Sequence, residues 1–129
     1  MKLIGIDYGT KRIGLATGRT EDGIAFPFVV VENSLLVASM IADIVSREDI
    51  EKIVLGESRQ LDGTHNQLHE EVAQFARELE EKTGLPLVFE NEVYSTQQAM
   101  RIQGKNKQID ASAAAVILQA YLDRTAHDR

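Results

Sequence analysis

The chain has 129 residues, of which 43% are hydrophobic and 26% charged, and it carries a net charge of −6, two prolines and no cysteine. That length builds one core, residues 1–129, and is too short for two lobes with a cleft between them, so an active site has to lie on the surface of a single sheet. The missing cysteines exclude disulfides, thiolate metal sites and cysteine nucleophiles. No window approaches the ~18 apolar residues of a membrane span, and the opening stretch meets Asp7 too soon for a secretory signal. A cytoplasmic protein with no membrane partner is expected.

In chain order, Lys2 to Ile6 and Ile13 to Ala16 are apolar runs joined by the turn-like Tyr8-Gly9-Thr10-Lys11, which predicts a hairpin. Ile24 to Val31 reads as a third strand, apolar on both faces, with Pro27 suited to a sheet edge. Ser34 is placed to cap a helix whose apolar residues Leu36, Val37, Met40, Ile41, Ile44 and Val45 recur at three- and four-residue spacing. Lys52 to Leu55 predicts a short buried strand. Asn66 to Lys82 predicts an amphipathic helix through Leu68, Val72, Phe75, Ala76 and Leu79, closed by Gly84. Leu85 to Phe89 is the next strand. Ser95 or Thr96 can cap a short helix through Met100, and Asp110 opens an alanine-rich helix carrying Ala114, Ile117, Leu118, Tyr121 and Leu122. The order predicts an α/β domain: a mixed five-stranded sheet with an antiparallel three-stranded meander and flanking helices.

Three acids stand at element ends. Asp7 closes a buried strand before a glycine-containing turn that also holds Lys11 and Arg12. Glu92 follows the fifth strand, and Asp110 opens the last helix. Each has an ordinary structural role available to it: Asp7 as a turn residue, Glu92 in a solvated acidic loop, Asp110 as an N-cap. Convergence of the three would instead build the oxygen-rich site that Mg²⁺ or Mn²⁺ requires, and two such ions can drive phosphodiester hydrolysis without a histidine or serine nucleophile. Lys105 and Lys107, in the polar stretch Gly104 to Gln108, form a basic loop fitted to a phosphate backbone. A net charge of −6 works against binding through a broad basic surface. A cation site is itself acidic, however, so clustered carboxylates lower the net charge while a local basic loop grips phosphates. His65, His69 and His127 lack zinc spacing and read as surface residues. Asp62-Gly63 reads as a turn.

Asp7-Tyr8-Gly9-Thr10-Lys11-Arg12-Ile13-Gly14-Leu15-Ala16 resembles the opening motif of the YqgF family, Holliday junction resolvase-like proteins also described as pre-16S ribosomal RNA nucleases. Ile109 to Leu118 is similar to that family's closing helix, and the resemblance runs nearly end to end. It implies a ribonuclease H-like fold, a nuclease acting on pre-rRNA or branched DNA, and Asp7, Glu92 and Asp110 as the catalytic, metal-binding acids. Where the family reads Asp-Glu-Arg-Leu-Ser/Thr-Thr, this chain has Asn91-Glu92-Val93-Tyr94-Ser95-Thr96. Where it reads Gly-Leu-Pro, this chain has Gly56-Glu57-Ser58, and Glu57 offers itself as a fourth ligand. Self-association into a homodimer is compatible with this reading. Two other functions compete: a non-catalytic nucleic-acid binder of the same fold, and a phosphate-binding ATPase-like module, to which the Asp-x-Gly-Thr start is also similar.

Overall fold

The computed structural model describes residues 1–57, 67–91 and 109–126. Its centre is β1 (Lys2–Tyr8), which pairs antiparallel with β2 (Arg12–Arg19), itself antiparallel to β3 (Ile24–Glu32). On the other side β1 pairs parallel with β4 (Lys52–Glu57), and β4 parallel with β5 (Leu87–Asn91), so the sheet order is β3-β2-β1-β4-β5. The predicted meander and mixed five-stranded sheet are both present. Three helices complete the described fold: α1 (Val37–Arg47), α2 (Gln67–Thr83) and α3 (Ile109–Thr125).

Strand alternation sends successive side chains of β1 to opposite faces. Ile4 and Ile6 join Ile13, Leu15, Ile53 and Leu55 in a core closed by α1 and α2, where Ile41 and Leu79 are fully buried. Leu3, Ala16 and Val54 form the second core, under Ala114, Ile117, Leu118 and Leu122 of α3. The opposite-face contact is unusually close. A Cβ on Gly5 would stand 2.7 Å from Leu118 Cβ and 2.9 Å from the Ala114 carbonyl oxygen, so only glycine lets α3 approach β1 this far.

Several local expectations need correction. Ser34 does not cap α1: the N-cap position is Leu36, which makes no side-chain capping bond. Ser34 instead spends its backbone in a turn, donating to Glu32 O and accepting from Val37 N, both at 3.1 Å, which delays the helix. Leu36 (69% exposed) and Met40 (44%) consequently leave the core, whose stripe is Val37, Ala38, Ile41, Ile44 and Val45. Nor is β3 covered on both faces. Ala25 packs under α3 and Val31 against the α1 side, but Ile24, Phe26 and Val29 remain substantially exposed because β3 is the sheet edge. Pro27 fits that edge, beside a register shift opposite Leu15 and Ala16. Gly84 ends α2 with φ +68° as its position demanded. The short helix expected through Met100 lies outside the described residues.

Candidate active site

The apolar run of β1 ends in Asp7, half-buried at the carboxyl end of the central strand and in register with Gly14. By alternation with Leu3 and Gly5, Asp7 belongs to the α3 face, while Tyr8 turns to the other face and packs tilted against Phe75 with ring centroids 5.0 Å apart. Arg12, next but one to Gly14 along β2, stands on the same face as Asp7 at the diagonal position of the ladder. Lys11 and Arg12 are both exposed.

The turn between them is held tightly. A Cβ on Gly9 would collide with the Arg12 carbonyl oxygen, and Asn33 clamps the turn from outside. Its Nδ2 donates to Gly9 O at 2.9 Å, and its backbone N donates to Lys11 O at 2.9 Å. Sequence reasoning passed over Asn33. Its only signal is register, since the residue after β3 falls opposite the turn once Glu32 pairs with Arg12.

Helix α3 is aimed at the same place. It meets Gly5 at Ala114 and Leu118, and reaches Gly18, whose partner is Leu3, at Leu122. The helix therefore runs from the carboxyl toward the amino end of β1, and its first turn, containing Asp110, lies on the Asp7 side of Gly5. The parallel pairing of β1, β4 and β5 brings the ends of all three strands to one sheet edge, with Glu57 of β4 in register with Asn91 of β5. Glu92, Lys105, Lys107, Asp62, Gly63, His65 and His127 lie outside the described residues, as do the side chains of Glu57, His69 and Asp110. No group of three or more His, Cys, Asp or Glu side chains that could hold a metal ion is found among the described residues. What Asp7 offers is a hard oxygen donor, and a chain without cysteine holds no thiolate to compete with it, so the donor chemistry fits Mg²⁺ or Mn²⁺ and not a soft metal.

A groove of about 450 Å³ opens on the other face, between α1 and α2, lined by Tyr8, Phe75, Glu70, Glu71 and Glu78 among others. Three glutamates make it a poor seat for a phosphate backbone, so the Asp7 face is the better candidate. No helix among the described residues is long and apolar enough to cross a membrane.

Known proteins match this chain along nearly its whole length. A protein of Syntrophus aciditrophicus named "Putative pre-16S rRNA nuclease" is 35% identical over 141 residues, covering 100% of this chain and 93% of its own. One of the same name from Caldanaerobacter subterraneus is 34% identical, covering 95% and 96%. Among solved structures, Thermus thermophilus RuvC in complex with a Holliday junction substrate aligns with a TM-score of 0.62 at 18% identity, covering 98% of this chain and 97% of that one. The Fowlpox virus resolvase aligns at 0.60 and 12%, covering 96% and 98%. The likeness to these resolvases shows a ribonuclease H-like fold. Residues 1–124 match the family described as RuvX, Holliday junction resolvase, and the chain belongs to that family.

Proposed function

We propose that the protein is a metal-dependent nuclease that hydrolyses phosphodiester bonds of structured nucleic acid, in the cytoplasm, with pre-16S rRNA or a branched DNA junction as substrate. The observation that carries the reading is Asp7 at the carboxyl end of β1, on the face that α3 closes and diagonal to Arg12, in a chain whose full-length relatives carry a nuclease name.

In this reading Asp7, Glu92 and Asp110 hold one or two divalent ions. When bound, such ions activate a water and offset the charge that develops on the phosphodiester. The chain's own residues do the rest. Lys11 and Arg12 neutralise phosphates beside Asp7, and Lys105 and Lys107 extend that grip from the segment before α3. The Asn33 clamp keeps the Asp7-to-Arg12 turn in one geometry, so that the carboxylate is placed before substrate arrives.

The test is cleavage by the purified chain of a four-way DNA junction and of a precursor 16S rRNA, each with Mg²⁺, Mn²⁺ or chelator. Metal-dependent cutting of either substrate is expected. Tight binding of both without any cutting would favour a non-catalytic binder of the same fold.

A further inference from the structure

The groove of about 450 Å³ between the start of α1 and α2 has no part in the nuclease reading, and its lining falls into two chemistries. One is apolar: Val37, Ala38 and Phe75 are buried there, and Leu35 lines the same groove while fully exposed. The other is acidic. Glu78 follows Glu71 by seven residues and Glu70 by eight, two turns on, so the three carboxylates share one flank of α2. Tyr8 ties the two together, its ring against Phe75 and its hydroxyl donating to Glu71 Oε2 at 3.4 Å.

No lysine, arginine or histidine among the described residues lines this groove. Lys11, whose carbonyl accepts from Asn33, and Arg77, which donates to Gln74 Oε1 at 2.8 Å, adjoin lining residues but stand outside the lining. The negative charge is therefore not offset from within.

That combination selects an occupant. A phosphate backbone is repelled. A single ion is too small, because Glu71 and Glu78 stand about 10 Å apart along the helix axis, with Glu70 and Glu71 exposed to water. A polypeptide segment in which basic and apolar residues alternate meets both chemistries. Its lysine or arginine stems lie along Tyr8 while their charged heads reach the carboxylates, and its apolar side chains cover Leu35. An extended segment keeps the two sets apart, since successive side chains leave on opposite sides.

The geometry points to this groove as a docking site for a basic segment of a partner protein. Asn33 lines it with the same side chain that clamps Gly9, so a docked segment sits behind the turn that follows Asp7. Asp7 itself belongs to the opposite face, so docking leaves it open, and the inference stands or falls apart from the nuclease reading.

Fluorescence anisotropy of the full chain with a labelled peptide of alternating lysine and leucine tests it, with an alternating glutamate and leucine peptide as control and spermidine as competitor. The basic peptide is expected to bind at micromolar concentration and to weaken as salt rises, while the acidic one does not bind. With circular dichroism unchanged, Glu71→Lys and Glu78→Lys should each weaken binding about tenfold and Leu35→Ser about threefold. Glu80→Lys makes the same charge change roughly 200° further round α2 than Glu78 and should weaken it about twofold at most. Equal losses from Glu78→Lys and Glu80→Lys would make net charge the cause and overturn the inference. Displacement of the peptide by an equal concentration of spermidine would overturn it too, giving the groove to a small polyamine, as would a basic peptide that does not bind.

Discussion

On the face that carries Asp7, β1 presents Leu3 and Gly5 to an alanine-rich helix, whereas on the other face it presents Ile4 and Ile6 to two helices armed with Ile41, Ile44, Phe75 and Leu79. Both contacts bury large side chains, but the first adds a close approach of α3 to the backbone at Gly5 that the second lacks. The difference teaches where precision is needed. A glycine-spaced contact has almost no freedom to slide, because a shift meets the carbonyl of Ala114 directly, and it is this contact that aims the first turn of α3. The bulky face can absorb small repacking, and it carries the groove instead of the candidate site.

The largest effect expected from breaking this contrast is chemical. Asp7→Asn keeps size and hydrogen bonding but removes the charge, so cleavage should fall by on the order of a thousandfold or more while folding and nucleic-acid binding persist. Wild-type turnover in that variant would return Asp7 to a turn residue. On the bulky face, Ile41→Ala empties a fully buried site and should cost about 2–5 kcal/mol in urea or thermal unfolding. Cleavage per folded molecule should survive.

Gly5→Ala should cost less stability, about 1–3 kcal/mol, because one methyl group has to push α3 outward. Its cleavage should nevertheless drop more than that of Ile41→Ala. Equal activity losses in the two variants would show that the faces do not differ in this way. Replacing Lys105 and Lys107 together by alanine should lower the salt slope of nucleic-acid binding by about one unit per lost phosphate contact, leaving unfolding unchanged. The smallest change is expected from Asn33→Ala, which removes the 2.9 Å bond to Gly9 O for about 1 kcal/mol. A modest fall in cleavage with unaltered binding would support its part in placing the turn.

Much of this is legible in the amino-acid sequence. The strands, the helices α1 to α3 and the stop at Gly84 follow from apolar periodicity and from glycine's access to positive φ, both local properties. The opening motif placed Asp7 at a strand end because a buried run cannot continue through a carboxylate without exposing it. Ser34 misled, since a hydroxyl before an apolar stripe is a cap only if the chain turns there, and here a turn intervenes up to Leu36. The apolar run of β3 misled for a related reason. Hydrophobicity records what a residue could bury, whereas its neighbours in the sheet order decide what it does bury.

What the chain by itself determined, then, is the set of elements and the residue types at their ends, because these depend on interactions within a few positions. Which face Asp7 shares with Arg12, which end of α3 approaches it, that Asn33 clamps the turn and that β3 is an edge were decided only by the tertiary structure. Strand order and register join residues up to 49 positions apart, the glycine contact joins Gly5 to Ala114 and Leu118 more than a hundred positions away, and no local pattern encodes the sum of those long-range choices.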